Sequence, residues 1–173
     1  MGKIEVKRET TIDATVEELW QILSGGFTDV GTWASLVNWS KPNPQATEVL
    51  DGAPTGGRIC DVPGFGRTDE RIIRFDVESH TIGYSVTAEK IPGFVSNVQN
   101  IWNLREAGPE AARVSINLTA DVRGIRGVVM GPIMKSRFGK AVDRSIEDLR
   151  VYAETGAVSE HKRRRPEKLG TLT

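Results

Sequence analysis

The chain is 173 residues long, 38% hydrophobic and 27% charged, enough for one domain with a sizeable core. Its 23 basic and 23 acidic residues cancel, and the segment 157–173 holds Lys162, Arg163, Arg164, Arg165 and Lys168 against Glu160 and Glu167, so the body is mildly acidic. That balance offers no field to draw in nucleic acid, a lone Cys60 excludes an intramolecular disulfide, and no stretch approaches the roughly 18 apolar residues of a membrane span. The start, MGKIEVKRE, is charged and has no apolar core for a secretory signal, so a cytoplasmic location is expected.

Residues 3 to 12 alternate Ile4 and Val6 with charged neighbours, a period-two strand with one solvated face. Thr15 with Glu18 three positions on forms a capping box, and Glu17 and Glu18 suit the positive end of a helix. Val16, Leu19, Trp20 and Leu23 make one apolar stripe before Gly25-Gly26, which predicts a helix over 15–24. A second short helix is predicted around 29–37, carrying Trp33 and Leu36. The stretch 40–57 is rich in Pro and Gly, with one strand expected at 46–50. Strands at 57–62 and 68–78 flank the tight turn Pro63-Gly64-Phe65-Gly66, and Ile73, Phe75 and Val77 alternate in the second. Further strands are predicted at 81–89, 95–105 and 113–122, separated by Pro92-Gly93 and Gly108-Pro109. In the last of them Val114, Ile116, Leu118 and Ala120 share one face. Short strands at this spacing argue for an antiparallel meander.

After Gly124 the period changes. Phe138, Val142, Ile146, Leu149 and Ala153 recur at steps of three and four, predicting one long helix over 128–154. Ser136, Lys140, Asp143, Arg144, Glu147, Asp148 and Arg150 are assigned to its polar side. Gly131-Pro132 either starts or kinks this helix, and Gly156 ends it. The basic segment 157–173 shows no apolar period and is expected to be a disordered tail, leaving 1–156 as a single ligand-binding domain.

A strand, two short helices, six strands and a long C-terminal helix make an α+β helix-grip arrangement. In it a curved antiparallel sheet of about seven strands wraps around the long helix. The residues carry a resemblance as well. They are Ile12-Asp13-Ala14-Thr15-Val16-Glu17-Glu18-Leu19-Trp20, then Trp33, Gly57-Arg58 opening a strand, Asp69-Glu70-Arg71-Ile72, and Ser145-Ile146-Glu147-Asp148-Leu149. In that order and spacing, over residues 3–155, the chain resembles the SRPBCC superfamily. That superfamily includes START lipid-transfer domains, birch-pollen-allergen-like proteins and the polyketide cyclase/dehydrase group. The chain is also similar in part to the plant abscisic acid receptors. Pro63-Gly64-Phe65-Gly66 falls where those receptors have a mobile gate loop, and Glu70 matches a pocket carboxylate. The gate residues themselves differ, so no receptor function is implied. The resemblance implies a largely apolar cavity between sheet and long helix. Relatives use it to bind lipids, polyketides, quinones, steroids or other aromatic molecules, or to steer the folding and dehydration of a polyketide chain.

A sheet wrapped on a helix leaves a gap, and the ligand is expected there. Strand parity turns Cys60, Val62, Glu70, Ile72, Tyr84, Val86, Val98, Asn100, Trp102, Ile116 and Leu118 toward it. Helices and loops add Trp33, Val37, Phe65, Phe94, Met134, Phe138 and Val142. Each aliphatic member reads equally as ordinary core, and parity slips wherever a strand bulges. Glu70, Tyr84 and Asn100 are the candidate catalytic residues, with Arg71 a further polar candidate. A carboxylate facing an apolar cavity can act as an acid or hold a ligand hydroxyl through water. The other reading puts Asp69-Glu70-Arg71 on a solvated charged edge. Tyr84 either donates to a ligand oxygen or is a core ring with its hydroxyl at the rim. Trp33 and Trp39 flank the presumed mouth, and Met130, Met134 and Phe138 are either a soft cavity wall or core.

His80, His161 and one Cys give no metal set, and no cofactor is expected. Gly64-Phe65-Gly66 lacks the third Gly of a dinucleotide fingerprint, Gly139-Lys140 is followed by Ala where a P-loop has Ser or Thr, and no Gly-x-Ser-x-Gly occurs. The expected function is binding or transport of a hydrophobic small molecule by a monomer or homodimer. The alternatives are a polyketide cyclase, aromatase or dehydratase working in the same cavity, and a protein-interaction module. The Lys162–Arg165 run reads as a contact for anionic lipid or nucleic acid, or as a solubilising end.

Overall fold

The computed structural model describes residues 2–164. Strand β1 (Gly2–Ile12) pairs along its whole length with β7 (Ala112–Val122), the last strand in the chain. In β7 the alternation is strict: Ala112, Val114, Ile116, Leu118, Ala120 and Val122 are all buried. Between them come β2 (Trp39–Pro42), β3 (Gly57–Val62), β4 (Gly66–Asp76), β5 (Thr81–Ala88) and β6 (Val95–Glu106). The seven form one curved antiparallel sheet in the order β1-β7-β6-β5-β4-β3-β2.

The capping box forms as read. Thr15 Oγ1 accepts from the Glu18 amide at 3.1 Å, and Glu18 Oε2 accepts from the Thr15 amide at 2.8 Å. Helix α1 (Val16–Trp20) then widens into a π turn at Gln21–Gly25 and is followed by a 3-10 turn at Phe27–Thr32. The helix expected over 29–37 is therefore shorter and earlier. Gly31 explains why: its amide donates to Ser40 Oγ at 2.8 Å, and the Trp39–Ser40 backbone leaves no room for a side chain there. The strand expected at 46–50 is absent, and β2 edges the sheet instead. The carbonyls of Ala46 and Glu48 crowd Gly56, whose own carbonyl accepts from the Ile72 amide at 2.9 Å, so no ladder position is open to them.

A bulge between Ile72 and Arg74 changes the phase of β4. Thr68, Glu70 and Ile72 are buried before it, and Ile73 is turned out to solvent. Phe75 returns against Trp20, with ring centroids 5.3 Å apart, while Val77 is exposed. Ile73 and Val77 are thus not partners of Phe75 in the core.

Helix α2 (Gly124–Thr155) starts four residues before the predicted boundary and carries Pro132 inside it. Gly156 closes it in the left-handed conformation at φ 70°. Met134, Phe138, Val142, Ile146 and Leu149 face the sheet. Arg8 to Asp143 at 2.7 Å and Arg150 to Thr10 Oγ1 at 2.6 Å fasten its outer side to β1. Asp148 does not lie on the polar side of the helix. It is fully buried, accepting from the Ser35 amide at 2.7 Å and the Ser159 hydroxyl at 2.6 Å. Ser159 in turn caps a short helix, α3 (Glu160–Arg163), and Lys162 Nζ donates to the Val37 carbonyl at 2.6 Å. The segment expected to be a disordered tail from 157 onward therefore has defined structure through Arg164, and 165–173 lie outside the described residues. Among the described residues no helix is long and apolar enough to cross a membrane.

Candidate ligand-binding cavity

A cavity of about 170 Å³ lies between the concave face of the sheet, the 3-10 turn and α2. Its wall is mostly apolar, with Leu23, Phe27, Val30, Ile82, Leu118 and Phe138 among its members. The half-exposed Val62, Phe65, Ala88 and Ile91 mark its mouth, beside the β3–β4 turn. Phe65 stacks on Phe138 there, with centroids 6.4 Å apart, and Arg137 lies over the Phe65 ring at 5.4 Å.

The floor is polar, and strand register builds it. Arg58 and Glu70 are direct partners across β3 and β4, so their side chains leave the sheet on the same face. Arg58 Nε donates to Glu70 Oε2 at 2.6 Å, and its Nη1 donates to the Phe27 carbonyl at 2.8 Å. Thr68 Oγ1 donates to the other carboxylate oxygen at 3.0 Å. The guanidinium also sits 4.1 Å from the Phe27 ring centre and 4.8 Å from that of Tyr84. Burying a charge pair is costly unless its remaining valences are met. Here a carbonyl, a hydroxyl and two ring faces meet them. Burial is the largest single influence and opposes the charge on Arg58, but the favourable interactions together, the Glu70 carboxylate first among them, raise its pKa above the ordinary guanidinium value.

Cys60 lies behind this pair. Burial first, and then the Glu70 charge, push its thiol up to about 12, so it stays protonated and unreactive. Burial likewise raises the Tyr84 phenol, against the pull of Arg58. Tyr84 therefore keeps its proton. Its oxygen accepts from the Trp102 indole at 3.4 Å, and its own O–H finds no acceptor among the described residues. Asn100, its direct partner on β6, points a buried Oδ1 that finds no donor. Tyr84 and Asn100 are thus cross-strand partners in the cavity wall, one with a spare donor and the other with a spare acceptor.

Of the residues that sequence assigns to the site, twelve line the cavity: Trp33, Val37, Val62, Phe65, Glu70, Tyr84, Val86, Val98, Asn100, Trp102, Leu118 and Phe138. Cys60, Ile72, Ile116, Met134 and Val142 pack in the core without lining it, and Phe94 is half-buried away from the wall. Arg71 is exposed and binds Asp69 through Nε at 3.0 Å, so the charged-edge reading holds for it and not for Glu70. Trp39 is half-buried outside the cavity, with Lys41 over its ring. Among the described residues no cluster of three His, Cys, Asp or Glu side chains is placed to hold a metal.

Arg58 is the main residue that sequence reading missed. The signal was there: Arg58, Cys60 and Val62 share one strand face, and the parity that turned Cys60 inward turns Arg58 inward too. Thr68 stands in the same relation to Glu70. Phe27 and Val30 had no such signal, because a 3-10 turn follows no period that the sequence displays.

The family model for polyketide cyclase/dehydrase and lipid transport proteins matches residues 3–154. The chain belongs to this family. Membership places it in the SRPBCC superfamily, and the helix-grip fold is shared with solved structures. One is the protein XoxI from Bacillus cereus, at TM-score 0.69 and 17% identity, covering 88% of this chain and 96% of the other. Another is a START superfamily protein from Mycobacterium smegmatis, at TM-score 0.69 and 14% identity, covering 89% and 99%. A Nitrosospira multiformis protein aligns at TM-score 0.63 and 16% identity, covering 88% and 97%. Identities this low establish the fold of this family member and nothing about its ligand. No curated protein matches its sequence.

Proposed function

We propose that this family member binds and carries a hydrophobic small molecule with a ring-sized apolar body and a hydroxyl head. The observation that carries the reading is that Tyr84, with a spare O–H, and Asn100, with an unpartnered Oδ1, are cross-strand partners in a cavity whose wall is mostly apolar and whose charged pair is already satisfied. A hydroxyl both accepts and donates, so it satisfies both at once. Size supports the same class. A cavity near ~150 Å³ holds one benzene ring, and about 170 Å³ is space for a single substituted ring and far too small for a two-chain lipid.

A second reading is a cyclase or dehydratase acting on a polyketide, with Tyr84 donating to a carbonyl of the chain and Asn100 accepting from an enol or hydroxyl of it. What weighs against Glu70 as its acid or base is that both carboxylate oxygens are engaged, by Arg58 and Thr68.

The test begins with native mass spectrometry of purified protein and organic extraction of whatever co-purifies. Calorimetry then compares p-cresol with toluene. The carrier reading expects p-cresol to bind roughly two- to tenfold tighter, the worth of one neutral hydrogen bond. Equal binding, or none by either, overturns it. Conversion of a short poly-β-ketone that Tyr84→Phe abolishes favours the cyclase instead.

A further inference from the structure

We propose that the first half of α2 is a docking surface for an anionic lipid bilayer. Helix α2 has two apolar sides over this half. Gly127, Gly131, Met134 and Phe138 are buried against the sheet. At ~100° per residue, Ile125, Val128, Val129 and Ile133 gather on the opposite side of the helix. All four are open to solvent, Ile125 at 85% and Val128 at 75% exposure. A helix that is apolar on both sides is one that something else covers.

Charge names the occupant. From Val122 to Val142 the chain has Arg123, Arg126, Lys135, Arg137 and Lys140 and no acidic residue. All five cations are exposed, and none forms an ion pair among the described residues. On the helix wheel Arg126 and Arg137 border the aliphatic stripe on one side and Lys135 on the other, the arrangement of a helix lying in a bilayer interface. A second copy docked face to face would set these cations against their own counterparts. Nucleic acid would leave the aliphatic crest uncovered. An anionic bilayer satisfies both parts: headgroups meet the cations, and acyl chains cover Ile125, Val128, Val129 and Ile133. Arg137, which borders the stripe, lies over the ring of Phe65 at the cavity mouth.

The experiment is co-sedimentation of the full chain with vesicles of phosphatidylcholine alone, or of phosphatidylcholine mixed with phosphatidylglycerol. It needs no cavity ligand, so its failure leaves the proposed carrier function standing. The expected result is binding to the mixed vesicles only, weakened by salt. Arg126→Gln with Lys135→Gln should reduce it roughly tenfold or more, and Ile125→Asp with Val129→Asp should abolish it. These positions are exposed, and unchanged circular dichroism and melting confirm that the variants fold. No preference for anionic vesicles overturns the proposal. So does binding of duplex DNA through the same cations without vesicle binding, or a dimer in light scattering that the Asp pair dissociates while vesicle binding is absent.

Discussion

Arg58 Nε lies 2.6 Å from Glu70 Oε2, on in-register neighbours of β3 and β4, with both side chains more than nine-tenths shielded from water. This pair joins the sheet to the 3-10 turn through the Phe27 carbonyl, so one guanidinium helps to hold the cavity floor and one of its walls together. Replacing Glu70 by Gln leaves that guanidinium buried without its counter-charge. The expected loss of stability is about 3–5 kcal/mol in urea unfolding. Arg58→Met with Glu70→Leu should recover most of it, because a buried pair is often replaceable by apolar volume. A loss under 1 kcal/mol for Glu70→Gln would show that water reaches the pair.

Tyr84→Phe removes the spare donor and keeps the ring over Arg58. Affinity for p-cresol should fall roughly two- to tenfold and affinity for toluene should not change. Asn100→Leu should produce the same selective loss through the acceptor. Calorimetry on the two variants reads both, and equal losses for the two ligands would place the effect in packing.

Cys60 gives a pH dependence whose sign follows from its burial. Its thiol moves from 9.0 to about 12 on folding, so between those values the folded chain holds a proton that the unfolded chain has lost. The stabilisation is whole below about pH 9 and declines by ~1.4 kcal/mol per pH unit as pH rises toward the folded value. The slope of unfolding free energy against pH in this window should be shallower for Cys60→Ala than for wild type. Thiol reagents should label Cys60 near neutral pH only as the chain unfolds.

Asp148 accepts from the Ser35 amide and the Ser159 hydroxyl, both buried. Asp148→Ala strands those donors, at about 1–3 kcal/mol for each one left unsatisfied. Hydrogen exchange at the Ser35 amide should quicken, and trypsin should cut sooner after Lys162 and Arg163. Unchanged exchange at Ser35 would assign the hold on this loop to other contacts.

How far the sequence alone reaches depends on how each element is specified. Periodic elements were legible. The strict alternation of β7, the capping box at Thr15 and Glu18, and the helical spacing from Phe138 to Ala153 are each local patterns. Together they determined the element order, and with it the sheet closed around a long helix. The aperiodic parts were not legible. The 3-10 turn at Phe27–Thr32, the bulge at Ile73 and the edge strand Trp39–Pro42 depend on which backbone groups a neighbouring segment leaves open. Polar burial was the other gap. Strand parity turns Arg58 inward, but nothing within a few residues of Arg58 or Asp148 supplies the partner that lets a charge be buried, because those partners stand 12, 113 and 11 positions away. An isolated charge reads as surface. Only the tertiary structure, which brings Glu70, Ser35 and Ser159 to within hydrogen-bond distance, makes its burial affordable and so decides where the cavity keeps its polar floor.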